Sequence, residues 1–167
     1  MRVLVAAASK HGGTTEIAKA IGSALTDAHL DVEVRPIEDV ATLDSYDAVV
    51  LGSAVYLGHW LEPAKRFVEL NGAALATRPV WLFSSGPLGD PPKPASEPTD
   101  VLGLIEITHA RDHRVFPGII DKGALGFGER AVVGVVRAPA GDYRPWDEIQ
   151  TWALGIVRAL GHPASAA

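Results

Sequence analysis

Cysteine is absent from the 167 residues. That excludes thiol catalysis, disulfides, cysteine-held iron–sulfur clusters and thiolate zinc sites together. Redox chemistry in this chain would need a bound organic cofactor. Basic residues are few as well: 15 Lys and Arg stand against 20 Asp and Glu, for a net charge of −5, and the longest basic run is Lys65-Arg66. No global field draws such a chain to nucleic acid or to an anionic membrane surface, so neither is an expected partner. No apolar stretch approaches the ~20 residues that span a bilayer. The apolar run at the start reaches only from Val3 to Ala8, short of the ~7–15 residues of a secretory signal. A cytoplasmic protein is the expectation. With 47% hydrophobic and 21% charged residues, the composition is that of a folded domain. One domain over residues 1–162 with a loose small-residue tail, 163–167, suits this length.

What is present is a repeated pattern of strand, small-residue loop and helix. Arg2 to Ala8 is apolar on both faces, as a parallel strand covered on both sides must be. A helical pattern over Thr14 to Ala28 follows, with Ile17, Ala20, Ile21, Ala24 and Leu25 on one face and Thr14 or Thr15 able to cap it. Asp31 to Pro36 alternates and reads as a strand near a sheet edge. Residues 37–45 make a short connection with one helical turn. Tyr46 to Ser53 is a central strand, and a small-residue loop from Ser53 to Trp60 leads to a helix over Leu61 to Leu75. Pro79 to Phe83 is the fourth strand, Thr99 to Ala110 a helix, and Arg114 to Gly118 the fifth strand. Glu129 to Arg137 fits either a strand or a buried helix. Asp142, Trp146 and Asp147 open a last helix over Pro145 to Leu160, stopped by Gly161 and Pro163. Alternating strands and helices predict an α/β fold with a parallel sheet and right-handed crossovers. Ligands in such sheets sit beyond the carboxyl ends of the strands, where the three small-residue loops would meet.

The first loop carries the sharpest signal. Ser9-x-x-Gly12-x-Thr14-Thr15 sets three hydroxyls around two glycines between a buried strand and a helix. Backbone amides and hydroxyls in that layout can hold a phosphate. The nucleotide-triphosphate loop is excluded because Lys10 precedes the glycines, and Gly-x-Gly-x-x-Gly is missing. An ordinary strand–helix turn with a threonine cap is the alternative from spacing alone.

These residues resemble a known family. Ser9-Lys10-His11-Gly12-Gly13-Thr14 is similar to the flavodoxin phosphate loop, Thr-x-Thr-Gly-x-Thr, and Gly52 to Gly58 is similar to the second, ring-flanking loop of that fold. The closest resemblance is to the flavodoxin-domain branch that includes menaquinone-dependent protoporphyrinogen oxidase. It rests on Gly12-x-Thr14-x-Glu16-Ile17-Ala18, Tyr46-Asp47, the run Gly52 to Trp60 and a late Asp142-x-x-x-Trp146-Asp147. The resemblance implies a flavodoxin-like three-layer sandwich with strand order 2-1-3-4-5 and FMN as cofactor. Ser9, Lys10, His11, Gly12, Gly13, Thr14 and Thr15 would then hold the FMN phosphate. Ala54, Val55, Tyr56, Leu57 and Gly58 would run along the flavin ring, and Ser85, Gly86, Pro87, Leu88, Gly89 and Asp90 would cover its other edge. By the same analogy, Glu129 to Arg137 belongs to an insertion and is a helix. The chain departs from the flavodoxin pattern at His11, where the family has a hydroxyl, and in the third loop, which lacks a stacking tyrosine.

Other residues weigh less. Tyr56 either stacks on the ring or packs on the following helix. Trp60 is either a helix-start anchor or, in place of the missing tyrosine, a stacking partner for the ring; Trp81 reads as core. His59 is the one catalytic candidate, placed to give a hydrogen bond or proton to reduced flavin or substrate; a solvated loop histidine is the alternative. Lys10 adds positive charge near the phosphate or is simply exposed. His109 and His113 flank Arg111-Asp112 without the spacing of a metal site, read as surface, and no metal is expected. The four prolines from Pro91 to Pro98 form a rigid cover or a docking loop. Three functions stay open: an FMN-dependent oxidoreductase or electron-transfer protein acting on a small molecule or redox partner, a plain flavodoxin carrier, and a non-catalytic module of the same fold without cofactor. A homodimer is compatible with each. A phospho-receiver is excluded, because Ala6-Ala7-Ala8-Ser9 and Gly52-Ser53-Ala54 stand where its acidic cluster and phosphorylated aspartate would be.

Overall fold

The computed structural model describes residues 1–86, 98–120 and 140–161. Its elements in chain order are β1 (Arg2–Ala8), α1 (Gly13–Asp27), β2 (Asp31–Pro36), a 3₁₀ turn (Ile37–Asp39), β3 (Ala48–Tyr56), β4 (His59–Trp60), α2 (Glu62–Ala76), β5 (Val80–Gly86), α3 (Val101–Thr108), β6 (His113–Pro117), β7 (Ile119–Ile120), β8 (Gly141–Asp142) and α4 (Trp146–Ala159). The main sheet runs β2-β1-β3-β5-β6, all parallel, with the short β4 pairing antiparallel to β3. Counting only the parallel strands, this is the predicted order 2-1-3-4-5.

Alternation along β1 explains its unbroken apolar run. Val3, Val5 and Ala7 point into one layer, with Ile17, Ile21 and Leu25 of α1 and Ile149, Trp152 and Ile156 of α4. Leu4, Ala6 and Ala8 point into the other, with Phe67, Val68 and Leu75 of α2 and Leu104 of α3. Each layer needs its own apolar set, so a strand buried on both faces has no polar position to spare. In the first layer Phe83, Phe116 and Trp152 meet at tilted or edge-on angles, with centroids 5.7–6.4 Å apart. Gly52 is what admits them: a Cβ on it would lie 2.0 Å from Phe83 Cζ.

Several boundaries differ from the sequence expectation. The central strand β3 starts two residues late and runs on through Ala54, Val55 and Tyr56, because Val55 and Tyr56 pair with Trp60 and His59 in a hairpin. Its turn, Leu57-Gly58, has both φ angles positive, at 51° and 80°, the type I′ geometry that matches strand twist. β5 likewise continues to Gly86, paired with Ala54 on one side and Phe116 and Pro117 on the other. The helix expected over Thr99 to Ala110 is shorter, at Val101–Thr108. The β7–β8 ribbon was not anticipated; each strand is two residues long and too short for a periodic signal. The remaining elements lie within a residue or two of expectation. Glu129 to Arg137, Pro91 to Glu97 and the 163–167 tail lie outside the described residues. No helix among the described residues is long and apolar enough to cross a membrane.

Candidate functional site

The loops after β1, β3 and β5 end on one side of the sheet. The first is built around Gly12. Its φ of +87° makes it the left-handed residue before α1, and its Cβ position faces open space. Only glycine takes that φ at little cost. The Gly12 N–H donates to Ser9 Oγ at 3.0 Å, which closes the loop and leaves the Ser9 hydroxyl proton available as a donor. No side chain caps α1, and the helix itself offers no acceptor for the N–H groups of Gly13, Thr14 and Thr15. The expectation that Thr14 or Thr15 caps the helix is therefore corrected. The glycine takes the cap position because the turn needs positive φ there, and both threonines fall inside the first turn. Thr14 is buried at 3% exposure, Thr15 is half-buried, and Lys10, His11 and Gly12 are exposed. Free helix-start amides, the helix dipole and flanking hydroxyls together make an anion cradle.

The second loop lies beside it. Lys10 Nζ sits 4.9 Å from the centre of the Tyr56 ring, so the exposed lysine spans the first and second loops and lends its charge to both. Ala54, Val55 and Tyr56 are half-buried strand residues, whereas Leu57 and Gly58 are exposed at the hairpin tip. The Gly58 carbonyl accepts from Thr99 N–H at 2.9 Å. From the third loop, Ser85 is buried within the β5 strand and Gly86 approaches Val55, whose Cβ lies 3.2 Å from where a Cβ on Gly86 would be. Pro87, Leu88, Gly89 and Asp90 lie outside the described residues, so among the described residues the second and third segments meet through Val55 and Gly86.

His59 is exposed and held. Its Nδ1 lies 3.0 Å from Asp100 Oδ1, and the Trp60 N–H donates to Asp100 Oδ2 at 3.0 Å. Burial raises the Asp100 pKa, but the hydrogen bonds from His59 and Trp60 outweigh it and hold the carboxyl below its usual range. Asp100 carries no sequence signal for this role, since it falls within the helix expected over Thr99 to Ala110. Here the side chain makes no cap bond to α3 and turns to the hairpin instead. Trp60 is buried and its Nε1 donates to Ser84 Oγ at 2.7 Å, which makes it an anchor and not a surface ring. Ser84 Oγ in turn lies 2.8 Å from His113 Nε2. His113 is thus corrected from a surface residue to a half-buried one that ties β6 to β5, while His109 is exposed as expected.

The other residue missed in the sequence is Arg144, just before α4. Its guanidinium clamps both oxygens of Asp142, at 2.8 and 2.7 Å, and also bonds Glu16 Oε2 and the Gly13 carbonyl. It is therefore wedged against the first turn of α1. Asp142, expected to help start α4, instead pairs with this arginine, whose hydrogen bonds hold its carboxyl well below the ordinary range. An arginine between a tyrosine and a proline gives no sequence sign of burial; only the fold brings residue 144 to residue 16. Among the described residues no group of three or more ligand-type side chains could hold a metal ion.

A model of the flavodoxin domain matches residues 4–145 of the chain. The structure is similar to that of a flavodoxin from the domain Archaea, with 17% identity, 97% of this chain and 100% of that one covered, and a TM-score of 0.68. A flavodoxin variant from Pseudomonas aeruginosa gives 14%, 96% and 99%, and 0.65. The two-electron reduced flavodoxin of Megasphaera elsdenii gives 22%, 69% and 85%, and 0.56. No curated protein matches the chain.

Proposed function

Since this chain belongs to the flavodoxin-domain family, we propose that it binds FMN beyond the ends of β1, β3 and β5 and carries electrons to and from a redox partner. The observation that carries this reading is the uncapped start of α1 around Gly12, where the free N–H groups and the hydroxyls of Ser9, Thr14 and Thr15 fit a phosphate monoester. Lys10 adds charge at its rim. Ala54 to Gly58 and the Ser85 to Asp90 segment would flank the ring. When bound, FMN supplies the one- and two-electron chemistry that no side chain of this chain can supply. The chain's own groups bind the phosphate, hold the ring between two segments and limit its contact with water. One of the flavodoxins it resembles has been captured in a two-electron reduced form, which supports a carrier of reducing equivalents. The family match is to the flavodoxin domain as a whole and does not extend to the protoporphyrinogen oxidase branch.

One observation favours a second reading, an oxidoreductase with a small-molecule substrate of its own. His59 stands exposed at the hairpin with its Nδ1 fixed by Asp100, the arrangement that orients an imidazole to move a proton at Nε2. The two readings separate in one experiment. The FMN-loaded, reduced protein is mixed with cytochrome c, a one-electron acceptor, and separately with a soluble quinone that takes two electrons and two protons. A carrier reduces both with no dependence on His59, whereas the enzyme reading requires that His59→Ala slow quinone reduction at least tenfold and spare cytochrome c. Failure of the FMN-loaded protein to reduce either acceptor would overturn the electron-transfer proposal.

A further inference from the structure

Two carboxylates crowd the phosphate cradle. Glu16 lies in the first turn of α1 and Asp142 in β8, and both reach the same guanidinium. The Arg144 side chain is only 5% exposed, its guanidinium makes four hydrogen bonds among the described residues, and the Trp146 ring covers it with its centre 4.5 Å from Cζ. One positive and two negative charges leave this cluster at −1. Without the arginine it would stand at −2, against a helix terminus that must accept a phosphate of about −1.5 to −2. The Nη1 contact to the Gly13 carbonyl also fixes the first residue of α1. The same arm is pinned at the ring side, since Tyr143 N–H donates to the Gly118 carbonyl and Gly118 N–H to the Gly86 carbonyl.

We propose that Arg144 is the residue that makes this site selective for the phosphorylated flavin: by neutralising carboxylates at the start of α1 it lets the phosphate add to affinity. It acts through Glu16, Asp142 and Gly13 and is a positioning residue. The inference rests on the FMN reading and deepens it.

The test compares dissociation constants for FMN and for riboflavin, which lacks the phosphate, measured on the full chain by flavin fluorescence quenching. Arg144→Met should weaken FMN binding at least tenfold and change riboflavin binding less than twofold. Arg144→Lys keeps the charge and should keep most of the preference for FMN. Glu16 is exposed, so Glu16→Gln should fold normally and tighten FMN severalfold without altering riboflavin. That arm decides the matter should Arg144→Met fail to fold. Equal losses for FMN and riboflavin in Arg144→Met, or an FMN affinity unmoved by Glu16→Gln, would overturn the inference. Wild-type protein that binds riboflavin as tightly as FMN would overturn it alone, whereas wild-type protein that binds neither would overturn the FMN reading itself.

Discussion

Thr14 and Leu57 are single residues whose chemistry can be tested in isolation. Thr14 lies in the first turn of α1 beside the free amides. If its hydroxyl holds the phosphate, Thr14→Val should cost about 1–3 kcal/mol of FMN binding, read by fluorescence titration; an unchanged affinity would remove Thr14 from the site. Leu57 has φ 51° and is 65% exposed, so it bears the strain of a left-handed residue with little burial in return. Asparagine tolerates that conformation, and the turn Asn-Gly is the preferred type I′ pair. Leu57→Asn should therefore raise stability by about 0.5–1 kcal/mol, seen as a higher melting temperature. The strain explains why the hairpin was illegible in the sequence: leucine at that position carries no turn signal, and Gly58 alone does not specify one. His11 was legible as a departure from the family pattern, and it stands exposed on the loop.

At the scale of elements, the patterns that were legible are those with many residues behind them. β1 was readable because Val3 to Ala8 serve two cores at once, and α1 and α4 because their buried residues recur every three or four positions. The ends of β3 and β5 were not, because Ala54-Val55-Tyr56 and Ser84-Ser85-Gly86 look like loop residues while being extended by ladder pairs that no local signal encodes. Long-range polar partners were illegible for the same reason: Asp100 lies 41 positions from His59, and Arg144 lies 128 positions from Glu16. Packing between elements supplies the sharper prediction. Gly52→Ala drives a methyl into the Phe83 ring, which is itself held by Phe116 and Trp152. It should destabilise the fold by about 1–3 kcal/mol in urea unfolding. A neutral substitution would mean that the aromatic cluster shifts freely.

For the whole molecule, acid is the condition to which the site arm and the hairpin should both respond. The Asp142 carboxyl is held low by its hydrogen bonds to Arg144; that of Asp100 is held low by His59 and Trp60 against the opposing effect of burial. Both bind protons more weakly when folded than when unfolded. Their stabilisation is therefore complete above the unfolded carboxylate range and lost as pH falls through the folded values, below about pH 4. Unfolding midpoints in urea should be flat through neutral pH and drop steeply below that limit, and Asp142→Asn should blunt the drop. An acid limb unaltered in that variant would show that the Arg144–Asp142 pair adds nothing to stability. Any ligand that binds the folded chain alone must also raise its melting temperature, so FMN at a hundredfold excess over its dissociation constant should stabilise the fold by about 2.7 kcal/mol. The most direct measurement is a titration of FMN with the purified protein, following flavin fluorescence. Quenching that saturates at one FMN per chain, and is weakened by Thr14→Val, is the predicted result. FMN fluorescence unchanged at protein concentrations in large excess would contradict a flavin site at the start of α1.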